Sequence, residues 1–277
     1  MSGASAGAPM IVARAVREGR ATMTPWRALV DIAVIAERTL IGYTRIPEAL
    51  FFSSVQPVMF VVLFRYVFGG AIATKAPGGY VNFLMPGIFV QTVAFGAVAT
   101  SIGLAEDLQK GIIERFRSLP MARSGVLAGR TIADLCRNIV VVAIITGVGY
   151  AVGFRVLTNV GGYFAGILLL LLFAYALSWG FAVIGLSAPN SETAQVMSFP
   201  LLFPLTFASN AFVPVQFMPG WLRGFATYQP VSQTVAAVRA LMLGGVTADH
   251  VVQTVIWCFS ILVVLAPLAV WRYRTRA

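Results

Sequence analysis

Residues 163–187 read YFAGILLLLLFAYALSWGFAVIGLS, a run of 25 residues without a charged side chain. An α-helix needs about 20 mainly apolar residues to cross the hydrocarbon core of a bilayer. This run is long enough to do so, and it therefore predicts a membrane-spanning helix.

The composition of the whole chain supports the same class. Of the 277 residues, 58% are hydrophobic and 11% are charged, and the mean hydropathy is +0.84. Soluble domains carry about 25% charged and about 45–50% apolar residues, so a soluble globular protein is excluded. Disorder is excluded because the chain has ample apolar surface to bury. The sequence predicts an all-α integral membrane protein.

Six segments are long and apolar enough to be spans. They are residues 50–68, 84–105, 136–157, 163–187, 194–213 and 251–271. Proline and glycine occur inside them, and membrane helices tolerate both.

The distribution of basic residues predicts the orientation. Six basic residues precede the first span, six lie between the second and third spans, and three follow the last, against four in the alternate loops. By the positive-inside rule, both termini are cytoplasmic and the protein is a multi-pass protein of the cytoplasmic membrane. The net charge of +10 then fits loops that face anionic lipid better than it fits nucleic acid.

The region before the first span divides into two parts. Residues 1–23 are predicted to be a flexible tail, and residues 24–277 a single transmembrane domain. Thr24 is a plausible N-cap, with Pro25 at the first helical position. Apolar residues then recur at helical spacing up to Pro47, which predicts an amphipathic helix in the membrane interface. They are Trp26, Leu29, Val30, Ala33, Val34, Leu40 and Ile41. The helix could bind the lipid surface alone or also contact a partner.

The loop between the second and third spans carries a second amphipathic pattern. Leu104, Leu108, Ile112 and Phe116 are four residues apart, which predicts one stripe on a helix continuing from the second span. Glu106 and Lys110, and Lys110 and Glu114, are opposite charges at i,i+4, and Pro120 ends the pattern. The helix could be a solvated face or a peg that fits into another protein.

Residues 219–228 and 231–243 predict two short helices separated by Pro230. Thirteen residues reach about 20 Å, which is too short to cross about 30 Å of hydrocarbon. The second helix is nevertheless too apolar for a free loop. A re-entrant pair that dips into the membrane from outside fits both properties.

The sequence lacks the motifs of several enzyme classes. The phosphate-binding pattern G-x-x-x-x-G-K-[ST], the G-x-S-x-G elbow and the H-E-x-x-H metal motif are all absent. No catalytic residue, metal ligand or cofactor site is predicted. Asp134 and Arg137, at i,i+3, are expected to pair with each other. Carboxylates and histidines at mid-membrane, which a proton-coupled carrier would use, are not found.

Two long motifs in the loops are distinctive: DLQKGIIERFRSLPM at residues 107–121, followed by Gly129-Arg130, and FASNAFVP at residues 207–214. Shorter motifs follow the second one, with MPGWL at residues 218–222, QPV at residues 229–231 and AVRAL at residues 237–241. Together these motifs resemble the loops of ABC-2 type permeases, in particular the daunorubicin/doxorubicin-resistance branch.

This resemblance implies a permease subunit without ATPase activity of its own. It would pair with a second permease chain, identical or related, and bind two copies of a separate ABC ATPase that holds ATP and Mg. The segment after the second span would be the coupling helix that contacts the ATPase, and the N-terminal amphipathic helix would be a second contact. The implied coupling residues are Glu106, Asp107, Lys110, Gly111, Glu114, Arg115, Phe116, Arg117 and Pro120.

The resemblance also implies export of a hydrophobic or amphipathic substrate, either a drug or antibiotic or a lipid-like molecule. The first, second and fifth spans would face the substrate cavity. The residues implied to line it are Gln56, Gln91, Thr92, Phe199, Phe203, Thr206, Phe207 and Asn210. Phenylalanines with scattered amides would suit a flat, partly polar ligand.

Two readings from other classes stay open at this stage. A membrane-embedded lipid-modifying enzyme would need acid or base residues at the membrane surface, for which Asp134, Arg137 and His250 are candidates. A structural or immunity protein that sequesters a toxic compound would bind it without ATP-dependent transport.

Overall fold

The computed structural model describes residues 25–45, 47–69, 78–113 and 123–276. The described residues form α-helices, one π-helical turn and one 3-10 turn, without a β-strand, which confirms the all-α prediction. The helices are α1 (Pro25–Arg45), α2 (Pro47–Leu63), α3 (Gly79–Gln109), α4 (Arg123–Ala151), α5 (Val160–Ser187), α6 (Ser191–Phe207), α7 (Gly220–Tyr228), α8 (Pro230–Leu243) and α9 (Ala248–Arg276). The tail predicted for residues 1–23 lies outside the described residues.

Among the described residues, four helices are long and apolar enough to cross a membrane: α3, α4, α5 and α9. The other two predicted spans are shorter. A five-residue π-helical turn, Phe64–Phe68, extends α2 to 22 residues, or about 30 Å. Helix α6 has 17 residues, or about 25 Å.

Two predicted spans differ from the helices at their ends. The third span was placed at residues 136–157, but α4 begins at Arg123 and ends at Ala151. The fifth span was placed at residues 194–213, but α6 ends at Phe207 and turns follow. Hydropathy locates apolar residues, and it does not distinguish a helix from an apolar turn packed beside one.

Helix α3 lies at the centre of the bundle. In its apolar stretch 72% of the residues are buried, against 17% in α9, which is peripheral. Helices α2, α4, α5, α6 and α8 all pack against α3. At Gly185 a Cβ atom would lie 2.3 Å from the carbonyl oxygen of Ser101, so the glycine permits the close contact of α5 with α3.

Helix α1 packs along α4 and has two apolar faces. Ile35 is buried where the helices cross, and a Cβ on Gly129 of α4 would lie 2.7 Å from it. The predicted apolar stripe lies elsewhere on the helix. Its members Leu29, Val30 and Val34 are 59%, 44% and 51% exposed and face away from the bundle. The sequence therefore identified the outward face and missed the packed one.

The short helices α7 and α8 differ in burial. Most of α8 is buried, including Val235 and Met242, whereas α7 exposes Trp221 and Tyr228. Helix α8 packs against α3, α5 and α9. It thus fills a place inside the bundle, near the end of α3 that begins at Gly79.

Candidate functional site

The predicted coupling segment begins at the other end of α3. The helix ends at Gln109, and Gly111 adopts a left-handed backbone conformation with φ of +63°. Glycine accepts this conformation without strain. The predicted stripe on a helix continuing straight through residue 116 is therefore wrong, because the chain turns at residues 110 and 111.

Part of this segment is held by ion pairs. Lys110 Nζ lies 3.2 Å from Glu106 Oε2 in an exposed pair. Asp107 Oδ2 accepts a hydrogen bond from Arg130 Nη1 at 2.6 Å, and this pair is largely buried. It joins the end of α3 to α4. The remaining predicted coupling residues, Glu114, Arg115, Phe116, Arg117 and Pro120, lie outside the described residues.

One helical turn after Arg130 on α4, the buried carboxylate of Asp134 connects three helices. Both oxygens of Asp134 accept hydrogen bonds at 2.5 Å, one from the Tyr43 hydroxyl of α1 and one from the Thr100 hydroxyl of α3. Burial, followed by the charge of Asp134, raises the pKa of Tyr43 above its usual value, so the phenol remains a donor. The sequence analysis did not single out Tyr43, which lies 91 residues from its partner.

The expected pairing of Asp134 with Arg137 is wrong. The Arg137 guanidinium donates from Nη2 to the Gly96 carbonyl of α3 at 2.8 Å and lies 5.7 Å from the centre of the Tyr43 ring. A Cβ on Gly96 would lie 3.1 Å from Arg137 Nη2 and 2.5 Å from Asn138 Oδ1. The absence of a side chain at this position therefore lets Arg137 and Asn138 approach the backbone of α3.

These polar groups border a cavity of about 200 Å³ between α2, α3, α4 and α6. Four of the residues predicted to line the substrate cavity lie here together: Gln56, Gln91, Thr92 and Phe199. The Thr92 hydroxyl is used within its own helix, where it donates to the Ile88 carbonyl at 2.7 Å. The lining also includes Phe60, Phe95, Arg137 and Asn138, which the sequence analysis did not propose.

A row of phenylalanines continues from this cavity towards the Gly79 end of α3. Ring centres are 5.4 Å apart for Phe199 and Phe203, 5.4 Å for Phe203 and Phe207, and 5.5 Å for Phe207 and Phe212. Phe60 lies 6.2 Å from Phe207 across the gap between α2 and α6. Phe203 and Phe207 are 46% and 40% exposed, so the row offers aromatic surface to a neighbouring molecule.

Four of the eight predicted residues do not line this cavity. Phe203 and Phe207 belong to the row of phenylalanines, and Thr206 and Asn210 lie elsewhere. Thr206 is fully buried, and its hydroxyl donates to the Leu202 carbonyl of the preceding turn at 2.8 Å. Asn210 lies in the turn after α6, where its carbonyl accepts a hydrogen bond from Arg239 Nη2 at 3.0 Å. Thr206 and Asn210 therefore make hydrogen bonds within the protein itself.

A second, more open cavity of about 730 Å³ lies beside the first at the Gln109 end of α3. The two cavities share Ala99 and Ile102 in their linings, so they adjoin. Charged residues of α1 and α3, including Arg38 and Glu106, line the second cavity. The charged lining of the second cavity thus adjoins the aromatic lining of the first.

Two candidate residues of a lipid-modifying enzyme have hydrogen-bond partners within the protein. Both oxygens of Asp134 accept hydrogen bonds, and His250 Nδ1 lies 2.8 Å from Gln233 Oε1. Neither residue lines the cavity of about 200 Å³. Within the described ranges, no group of three or more His, Cys, Asp or Glu side chains could hold a metal ion.

Comparison with known proteins agrees with this geometry. Residues 30–243 match the family model described as ABC-2 type transporter. The chain is 34% identical over 241 residues to the daunorubicin resistance ABC transporter permease protein DrrB1 of Streptomyces coeruleorubidus, covering 86% of this chain and 84% of that protein.

Two further relatives carry permease names. The chain is 26% identical over 218 residues to the probable doxorubicin resistance ABC transporter permease protein DrrC of Mycobacterium tuberculosis, covering 78% of each protein. It is 25% identical over 238 residues to the putative transport permease ycf38 of Cyanophora paradoxa, covering 83% of this chain and 80% of that protein. The match over most of its length shows that this chain belongs to the ABC-2 type transporter family.

Proposed function

We propose that this permease moves a hydrophobic or amphipathic substrate, of drug-like or lipid-like chemistry, outward across the cytoplasmic membrane. The observation that carries the proposal is the aromatic cavity, which adjoins a charged mouth at the Gln109 end of α3. A flat apolar molecule could enter at this mouth and stack against phenylalanine rings. The drug-resistance names of two relatives support the same substrate class.

The membrane arrangement that we propose has six spans and cytoplasmic termini. Helices α3, α4, α5 and α9 are long enough to cross alone. Helix α2 with its π-helical turn, and α6 with the turn that follows it, supply the other two crossings. The basic residues before α2, around the connection of α3 to α4 and in the last two turns of α9 support a cytoplasmic location for the Gln109 end. Helices α7 and α8 then form a re-entrant pair on the outer side.

The driving force would come from a separate ABC ATPase bound at the cytoplasmic face. We assign α1 and the segment from Glu106 to Pro120 as its contacts. Two buried polar links support this assignment, since Tyr43 joins α1 to Asp134 of α4 and Asp107 joins the end of α3 to Arg130. Movement of either contact would be passed to the helices that line the cavity as a rigid-body shift. ATP and Mg would be held by the ATPase alone.

The working unit would contain two permease chains and two ATPase chains. The exposed rings of Phe203 and Phe207, on the open side of the aromatic row, would face the second permease. The cavity of about 200 Å³ is smaller than pockets that enclose a drug-sized ligand, at about 300–1,000 Å³. A second chain would complete it.

Reconstitution tests this proposal. The permease and its ATPase are placed in inside-out vesicles, and the uptake of daunorubicin is followed by fluorescence with and without ATP. We expect ATP-dependent uptake that stops with a non-hydrolysable nucleotide. Uptake that is independent of the ATPase would refute the proposal.

The coupling contact has its own test. Charge reversal at Glu114 and Arg115 is expected to leave the chain in the membrane and to abolish capture of the ATPase in a pull-down. The matched control reverses Arg223 and Asp249, which the proposed topology places on the outer side, and it should capture the ATPase normally. Normal capture by the first variant would refute the coupling assignment.

A further inference from the structure

A groove of about 800 Å³ runs between α2 and α4 on the side of α2 that is turned away from the aromatic cavity. Gln56 and Phe60 of α2 line that cavity, whereas Val58 and Val62 line the groove. The two pairs are offset by two residues, or about 200° of helix rotation, so they lie on opposite faces of α2. Of the ten described residues that line the groove, eight have aliphatic or thioether side chains. We call this feature the α2–α4 groove.

The α2–α4 groove is open to the surface at the depth of the hydrocarbon core. Met59, Val62 and Val140 in its lining are 56%, 45% and 48% exposed. Its length along α2, from Ser54 to Tyr66, is about 17 Å. One leaflet contributes about half of the 30 Å hydrocarbon core, or about 15 Å. The groove therefore has the length and the apolar lining to hold one acyl chain of a lipid.

A positive charge lies at the Tyr66 end of the groove, which the proposed topology places on the outer side. The Arg65 guanidinium carbon is 5.9 Å from the centre of the Tyr66 ring, and both side chains are exposed. Among the described residues, no carboxylate forms a salt bridge with Arg65. The sequence between Glu48 and Glu106 contains no acidic residue at all. The charge of Arg65 is thus available to an anionic group at the membrane surface.

An acidic phospholipid matches both parts of this site, because its phosphate can pair with a guanidinium while its acyl chain covers apolar side chains. A second copy of the chain matches less well. In the proposed topology it would bring one acidic residue on the outer side, Asp249, to an exposed arginine. The aromatic row that we assign to the second permease also lies on the other face of α2, where Phe60 approaches Phe207.

We propose that the α2–α4 groove retains one acidic phospholipid of the outer leaflet, with its phosphate at Arg65 and an acyl chain along Val58 and Val62. This inference goes beyond the proposed function, because the retained lipid is not the transported substrate. It uses the proposed topology only to assign the leaflet.

Photoreactive lipids test the proposal at the site itself. Phosphatidylcholine nanodiscs hold the full-length permease with its ATPase and a trace of lipid with a diazirine in one acyl chain, under either a phosphatidylglycerol or a phosphatidylcholine headgroup. Mass spectrometry then gives the labelling of the groove residues of α2 relative to Val263, which is 70% exposed on α9. We expect this ratio to be about fivefold higher for the phosphatidylglycerol probe. Equal ratios for the two headgroups would overturn the proposal.

Arg65→Gln tests the charge separately from the groove. It is expected to lower the ratio for the phosphatidylglycerol probe to that for phosphatidylcholine. The matched control is Arg223→Gln, because Arg223 is an exposed arginine that bonds carbonyls of its own surface turn, and it should leave the ratio unchanged. An unchanged ratio in Arg65→Gln, or an equal fall in both variants, would overturn the proposal.

Val140→Trp tests the apolar part of the site by filling the groove from α4. We expect the ratio for the phosphatidylglycerol probe to fall to the phosphatidylcholine value. Ile139→Trp is the matched control, because Ile139 is equally exposed on the same helix and does not line the groove. An unchanged ratio in Val140→Trp, or an equal fall in the control, would overturn the assignment of the acyl chain.

A bismaleimide reaction tests the competing occupant. If it joined two permease chains through Met59→Cys and failed to join the unsubstituted chains, the groove would be covered by a second chain and the proposal would be overturned. We expect no such cross-link. Neither assay requires substrate or ATP hydrolysis, so failure of this inference would leave the proposed function unaffected.

Discussion

Two arginines inside the bundle differ in how their guanidinium groups are used. Arg239 of α8 donates to the Phe83 carbonyl from Nε at 3.1 Å and from Nη2 at 2.9 Å. Its Nη2 also donates to the Asn210 carbonyl at 3.0 Å. The guanidinium carbon lies 3.8 Å from the centre of the Phe83 ring. Arg137 of α4 makes one bond to a backbone carbonyl, and its Nε has no partner among the described residues. The first is a structural link between elements, whereas the second borders a cavity and makes fewer bonds.

The largest effect is expected at Arg239. Arg239→Met removes the donor to the Asn210 carbonyl and releases α8 from α3, so we expect a loss of stability of about 3 kcal/mol. A lowered thermal midpoint in detergent, followed by tryptophan fluorescence, would report it. Arg223→Met is the matched control, because Arg223 is exposed and bonds carbonyls of its own surface turn. An equal, small effect of both substitutions would remove the contrast between the two arginines.

The Tyr43 hydroxyl is expected to matter less for stability and more for coupling. Tyr43→Phe leaves one oxygen of the buried Asp134 without its donor, for a loss of about 1–2 kcal/mol. Because α1 would then lose its hydroxyl link to Asp134 of α4, substrate-stimulated ATP hydrolysis should fall while ATPase capture is retained. Full stimulation in this variant would contradict the relay through Asp134.

Gly96 tests the position of Arg137 and Asn138 without removing either. In Gly96→Ala the added carbon would lie 2.5 Å from Asn138 Oδ1 and must displace it. We expect ATP-dependent uptake of daunorubicin to fall, because the displaced side chains line the cavity, with little loss of stability. Gly147→Ala on α4, where a Cβ would meet no atom within 4 Å, is the control and should leave uptake unchanged. If Gly96→Ala took up daunorubicin normally, the position of this pair would not matter.

The same comparison explains what the sequence could and could not predict. Long apolar runs are local, so the helical membrane class and the region of each long helix followed from the residues alone. The pairing of Asp134 with Arg137 was wrong because sequence spacing reveals only neighbours on one helix. The actual partners, Tyr43 and Gly96, lie 91 and 41 residues away.

The cavity itself shows the same limit. Gln91 and Phe199 were named from the resemblance to the family, and the structure places both in its lining. Asn138 was missed, because one amide in an apolar helix does not reveal which way it faces. Likewise, the turns at Gly111 and after Phe207 depend on packing that no hydropathy pattern records.

The smallest stability effect, and the sharpest contrast, is expected for Arg137→Met. The Gly96 carbonyl lies inside a helix and keeps its backbone donor, so the substitution leaves no new unpaired acceptor there. It also removes a charge whose burial was incompletely compensated. The free energy of unfolding should therefore stay within about 1 kcal/mol of the original, while ATP-dependent uptake of daunorubicin should fall, because the cavity lining loses its Arg137 side chain. A destabilisation as large as that of Arg239→Met would make Arg137 a structural link as well and would remove the contrast between the two arginines.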